Sequence, residues 1–149
     1  MNRHPHDPQC IFCKIVGHEA PASVILETED VMVFLDAHPV NKGHVLLVPK
    51  AHHADLADLP EAVAGHAGSL LPGLCRAVRK ATGADGFNVV VNSGRAAGQT
   101  VDHGHWHVIP RFHDDAVKWP WPRTEYLDDD LGQLRFSIAR ELNLNLVED

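Results

Sequence analysis

Three histidines stand at alternate positions in the segment Gly98-Gln-Thr-Val-Asp-His103-Gly-His105-Trp-His107-Val-Ile-Pro-Arg111. Histidine titrates near neutrality, ligates metals, and serves as acid, base or nucleophile. On a strand, side chains at i, i+2 and i+4 share one face. His103, His105 and His107 would then form a row with neighbours about 6–7 Å apart, while Trp106 and Val108 face the core. Two chemistries suit such a row. It could hold a catalytic Zn²⁺ with an open position, or one histidine could attack phosphorus while its neighbours orient and neutralise. A purely structural row is the third alternative, and three histidines on one face weigh against it.

The preceding loop helps to choose. Asn92-Ser-Gly-Arg-Ala-Ala-Gly98-Gln-Thr100 offers small residues, backbone N–H groups, a hydroxyl and amides. Such a loop can approach an anion closely. Directly before the histidines, it favours phosphate chemistry. The Walker pattern is absent, which argues against a P-loop nucleotidase. Near the start, Cys10-x-x-Cys13 has half the ligands of a tetrahedral zinc site. A redox Cys-x-x-Cys wants a strand before it, and only nine mostly polar residues precede Cys10. Cys75, beside Leu74 in a helical pattern, reads as a buried hydrophobe. His4, His6, His18, His66 and His113 read as scattered surface residues.

These groups need a scaffold. The 149 residues suit one domain, and hydrophobic residues at 44% with charged residues at 22% are ordinary for a globular chain. A net charge of −7 disfavours general nucleic-acid binding. No apolar stretch approaches the ~20 residues of a membrane span, and the polar start does not resemble a signal peptide. With three cysteines and no export signal, a cytoplasmic setting is expected.

Ser23 to Glu27 and Val31 to Leu35 read as a hairpin, and His44 to Pro49 as a central strand. A helix is expected to start at Asp58-Leu-Pro-Glu, run through Val63, Ala67, Leu70, Leu71, Leu74 and Val78, kink at Pro72, and close at Gly83. Phe87 to Asn92 and His103 to Phe112 read as further strands. Trp119-Pro-Trp-Pro122 is irregular. Asp130 is expected to cap a last helix bearing Leu131, Leu134, Ile138 and Leu142. Strands broken by one long helix predict an α+β protein with a mainly antiparallel sheet.

Taken together, the sequence resembles the histidine triad (HIT) family of nucleotide hydrolases and transferases, and most of all its bacterial zinc-containing branch. The family motif His-φ-His-φ-His-φ-φ (φ apolar) reads here His103-Gly-His105-Trp-His107-Val-Ile. Cys10-Ile-Phe-Cys13-Lys-Ile, Phe34-Leu-Asp36, Gly43-His-Val-Leu-Leu-Val-Pro-Lys50-Ala-His52, Asn88-Val-Val-Val-Asn92 and Gly98-Gln-Thr agree in order. Gly104 departs from the pattern and is expected to weaken strand packing. The Trp/Pro-rich tail after Arg111 is not constrained by the motif.

The resemblance implies a HIT-like fold: a five-stranded, mainly antiparallel sheet with one long helix and a C-terminal helix. It implies a single domain over 1–149, with a core at 10–112 and an extension at 113–149. His105 matches the nucleophile that attacks the α-phosphorus of nucleoside 5′-phosphoramidates or adenylated compounds, giving a nucleotidyl-histidine. His107 matches the histidine that contacts phosphate. Asn92, Gly98 and Thr100 match phosphate contacts, with Gln99 beside them. Asp36 matches the ribose acceptor, and Leu35 and Ala37 the base pocket.

Cys10, Cys13, His52 and His103 would complete a structural Zn²⁺ site, with His53 as a rival to His52. A bend near Gly104 would separate metal from phosphate. No organic cofactor is implied. The implied ligand is a purine nucleoside monophosphate such as AMP or GMP, and the implied assembly a homodimer without nucleic-acid or membrane partners. The competing functions are a dinucleoside polyphosphate hydrolase, a nucleotide-binding regulatory module with low turnover, and a zinc-dependent hydrolase using the histidine row. Trp119 and Trp121 either pack on the sheet or a partner chain, or close over the leaving group.

Overall fold

A computed structural model describes residues 5–118 and 123–141. Trp119 to Pro122 and Leu142, singled out above, lie outside them. The chain divides into one compact unit ending at Ala116 and a second beginning at Val117.

The first unit is built on five strands: β1 (Val24–Glu27), β2 (Val31–Leu35), β3 (Val45–Pro49), β4 (Gly86–Val90) and β5 (Trp106–Arg111). Their order is β1-β2-β3-β5-β4, and every pairing is antiparallel. The hairpin read at Val31 is present, with an irregularity between Val24 and Leu26. The sheet is therefore the antiparallel sheet of an α+β protein that the sequence predicts, with the five strands that the resemblance implies.

Central strands β2 and β3 are apolar on both faces, so both faces must be covered. Val31, Val33, Val45, Leu47, Trp106 and Val108 pack with Ala67, Cys75 and Val78 of helix α2 (Glu61–Thr82). Met32, Phe34, Leu46 and Val48 pack with Cys10, Phe12, Cys13 and Val16 from the short helix α1 (Ile11–Val16) and its start. This N-terminal helix was not foreseen. A six-residue segment is too short to show a periodicity, and its buried Phe12, Cys13 and Val16 supply its packing. Helix α2 starts after Pro60 and ends at Gly83, whose φ of 68° is the left-handed cap that glycine favours. It is one continuous 22-residue helix that runs through Pro72.

The last strand begins later than its sequence suggests. It starts at Trp106, so His103 and His105 lie in the approach to β5 and only His107 is within it. The cause is local. His103 N–H donates to Val101 O at 2.8 Å, and Gly104 N–H donates to His53 O at 2.8 Å, so neither joins the sheet ladder. A Cβ on Gly104 would stand 3.1 Å from the Asp55 carbonyl carbon. Glycine here admits a close backbone approach; it does not weaken a strand.

In the second unit, helix α3 (Asp130–Glu141) begins with Asp130 as its first residue. The carboxylate of Asp130 accepts Leu127 N–H at 2.8 Å. Leu131, Leu134 and Ile138 are exposed.

Leu47 is fully buried, whereas Val24 on the edge strand is 45% exposed. Leu47→Ala should cost about 2–5 kcal/mol in urea unfolding, and Val24→Ala should stay within about 0.5 kcal/mol.

Candidate active site and metal centre

The chemistry-bearing side chains gather on the α1 face of the sheet. His107 pairs in register with Leu46 of β3 and Val90 of β4, and so shares the face that Leu46 presents to α1. Phe12 lies edge-on to both His103 and His105, with ring centroids at 5.9 and 4.9 Å. The rings of His105 and His107 are 4.7 Å apart.

Each histidine's hydrogen bonds fix which nitrogen carries the proton. His105 Nδ1–H donates to the His103 carbonyl at 2.7 Å. In a neutral imidazole that leaves Nε2 with a free lone pair. His107 is set the other way. Val40 N–H donates to His44 Nδ1 at 3.1 Å, so the His44 proton sits on Nε2 and donates to His107 Nδ1 at 2.9 Å. The His107 proton is then on Nε2. One histidine thus offers a lone pair and its neighbour an N–H. Burial holds the pKa of His105 and His44 below the ordinary histidine value. Burial first, then neighbouring His105 and His44, pulls His107 down to about 4. All three are therefore neutral at pH 7.

A cavity of about 870 Å³ opens onto His105 and His107. Its walls are largely apolar, with Phe12 and Ile15 from α1 and Leu35 and Leu46 from the sheet, and they also include Asp36, Ala37 and Thr100. The Asp36 carboxylate accepts His38 N–H at 2.9 Å and lies 3.6 Å from His44 Nε2. Asn92 and Gly98 are not in the lining; a Cβ on Gly98 would lie 3.7 Å from the Asn92 amide nitrogen. Gln99, placed by the sequence beside the phosphate contacts, is only 4% exposed. Its carbonyl accepts Gly94 N–H at 2.7 Å, and its amide donates to Ala54 O and Val101 O at 2.6 and 2.9 Å. Its side chain is committed to shaping the loop and has no group left for a ligand.

On the other side of Gly104, Cys10, Cys13, His52 and His103 bring their ligand atoms within 4.8 Å of one another. His103 Nδ1 lies 3.4 and 3.6 Å from the two sulfurs, and His52 Nδ1 lies 3.3 Å from Cys13 Sγ. Tetrahedral zinc with ordinary bond lengths would put sulfur and nitrogen roughly 3.6 Å apart. His103 Nε2–H donates to Pro49 O at 2.7 Å, which leaves Nδ1 bare toward the sulfurs, as a ligand requires. The donor set fits zinc, and it selects His52 over His53. Burial pushes the Cys13 thiol up to about 11, a shift a bound cation would reverse. Asp36, His44 and His107 also cluster. They do not suit a metal, because His44 Nδ1 accepts a backbone N–H and its Nε2 lone pair is taken by a proton.

Sequence reasoning placed His44 only at the head of a strand and missed both its bond to His107 and the wall contributed by Phe12 and Ile15. The signal for His44 is its place two residues before Leu46, and it becomes readable only once Leu46 is known to pair with His107.

An antiparallel sheet carrying paired histidines over a cavity, beside a Cys₂His₂ cluster, defines the class to which comparison then gives a name. The HIT domain model matches residues 17–114, and the chain belongs to the HIT family. It is 41% identical over 139 residues to Adenylylsulfatase HINT3 of Arabidopsis thaliana, covering 89% of this chain and 69% of that protein. It is 37% identical to Adenosine 5′-monophosphoramidase HNT1 of Saccharomyces cerevisiae, covering 91% and 84%. The solved structure of a Zn-bound histidine triad family protein from Mycobacterium smegmatis superposes with a TM-score of 0.70 at 36% identity, covering 91% and 96%.

The unfolded chain binds protons at His107 near the ordinary value of ~6.5, while the folded chain does so only near 4. Between these values the unfolded state holds more protons, so stability falls as pH drops through that window. Urea titrations should show this fall, and His107→Asn should make it shallower. Equal slopes in the two proteins would contradict the assignment.

Proposed function

We propose that the protein is a nucleotide phosphohydrolase that cleaves nucleoside 5′-phosphoramidates or adenylated compounds through a nucleotidyl intermediate on His105. The observation that carries this reading is the bond from His105 Nδ1–H to the His103 carbonyl, at 2.7 Å. It turns an unprotonated Nε2 into a preset nucleophile. In this reading, Nε2 attacks the α-phosphorus and the bond from phosphorus to the leaving nitrogen or oxygen breaks. The leaving group takes a proton from water. A second water then attacks phosphorus and releases the nucleoside monophosphate and His105. The N–H of His107 hydrogen-bonds the phosphoryl group as negative charge builds.

The apolar lining of the cavity suits a purine, as in AMP or GMP. Asp36 accepts ribose hydroxyls between Leu35 and Ala37. Thr100, which lines the cavity, contributes along the phosphate side, and Asn92 and Gly98 lie outside the lining. The names of the Arabidopsis and yeast relatives support adenylates and phosphoramidates as the substrate class. Cys10, Cys13, His52 and His103 would hold zinc, which supplies a structural cross-link between the N-terminal segment and the sheet. Three free thiols suit the reducing cytoplasm. The rival in which the histidine row itself holds a catalytic metal is disfavoured, because His103 is turned into the cysteine cluster and is fully buried.

Intact-mass analysis after mixing with adenosine 5′-phosphoramidate and quenching in denaturant tests this directly. Wild type should gain the mass of one adenylyl group (AMP less water), mapped to His105, and His105→Ala should gain none. Turnover without an adduct, lost when zinc is stripped from folded protein, would move the chemistry to the metal.

A further inference from the structure

His103 joins the two sites with different parts of one residue. Its ring faces the sulfurs of Cys10 and Cys13, and its carbonyl holds the Nδ1–H of His105. A second connection runs through α1. Cys10 and Cys13 bracket Ile11 and Phe12, both of which line the cavity, and Phe12 packs edge-on against His105. A metal held by Cys10, Cys13, His52 and His103 would fix the carbonyl that sets the nucleophile's tautomer and the helix that walls the cavity.

We propose that occupancy of this metal centre positions His105 and the α1 wall, so that zinc controls nucleotide affinity and nucleophile geometry as well as fold stability. This inference rests on the proposed function and deepens it. His103 acts here as a positioning residue, since its ring points away from the cavity. In the metal-loaded protein, the ring would be held by its bond to Pro49 O and by a bond to the metal that Cys10, Cys13 and His52 would share. Without the metal, the bond to Pro49 O remains but the pull of α1 is gone. The carbonyl and Phe12 then shift relative to His105. Misplacement of this kind, on the order of 1 Å, can cost about a hundredfold in rate.

The test uses AMP as the probe and reads binding and tautomer separately from activity. AMP affinity is measured by calorimetry on zinc-loaded protein, chelator-stripped protein and stripped protein given zinc back. The His105 tautomer is followed by ¹⁵N imidazole shifts. His52→Asn removes the one half-buried ligand and keeps both cysteines and His103, so its zinc occupancy can be titrated in folded protein. AMP affinity should fall roughly tenfold or more on stripping, return with zinc, and follow occupancy in His52→Asn. The His105 signal should move toward a tautomer mixture in step. Cys75→Ala, whose thiol lies in the α2 core, should bind AMP with wild-type affinity and keep its zinc.

Stripped, folded protein that keeps its AMP affinity and a single His105 tautomer would overturn the coupling. So would wild type that takes up no zinc. Both results are distinguishable from failure of the hydrolase reading, which appears as absence of an AMP adduct on zinc-loaded wild type.

Discussion

The hydrogen bond from His105 Nδ1–H to the carbonyl of His103 sets the conditions for the rest of the structure. It joins residues two apart, so it requires the backbone to leave the extended sheet geometry that the alternating sequence invites. That departure is possible because residue 104 is glycine and its backbone can lie against Asp55. It also turns the His103 ring away from the cavity and into the cysteines. One short local contact thereby divides a three-histidine motif between two tasks.

The two faces of the sheet are correspondingly different. The α2 face is a plain hydrophobic contact, with Trp106 and Val108 facing Ala67, Cys75 and Val78. The α1 face mixes apolar packing with buried imidazoles and thiols, and each has a partner. Among the described residues no buried side-chain polar atom lacks a hydrogen bond. Buried polar networks are stable only when they are satisfied in this way. Here satisfaction also sets the proton positions, since the Val40 to His44 to His107 chain can be drawn in one direction only.

Much of this was legible in the sequence. The hairpin, the central strand, the long helix with its terminal glycine and the antiparallel α+β class followed from period and turn residues. The two-cysteine, two-histidine cluster came from resemblance, because nothing in the spacing of Cys10 and His103 says that they meet. The misreadings have a common source. Helix α1 is too short to have a pattern, the strand start at Trp106 depends on Asp55 from a distant segment, and Gln99 is spent on partners at Ala54 and Gly94. Each is decided by a contact that the local sequence does not contain. Among the described residues, no helix is long and apolar enough to cross a membrane.

The approach of Gly104 to Asp55 ties two parts of the chain into a single unit of variation. A side chain at position 104 needs the turn around Asp55 to retreat by a few tenths of an ångström, and Asp55 stands three residues after His52 of the two-cysteine, two-histidine cluster. A change at one place is thus felt at the other. The steric identity of a single position thus bears on how the segment carrying His52 is laid down.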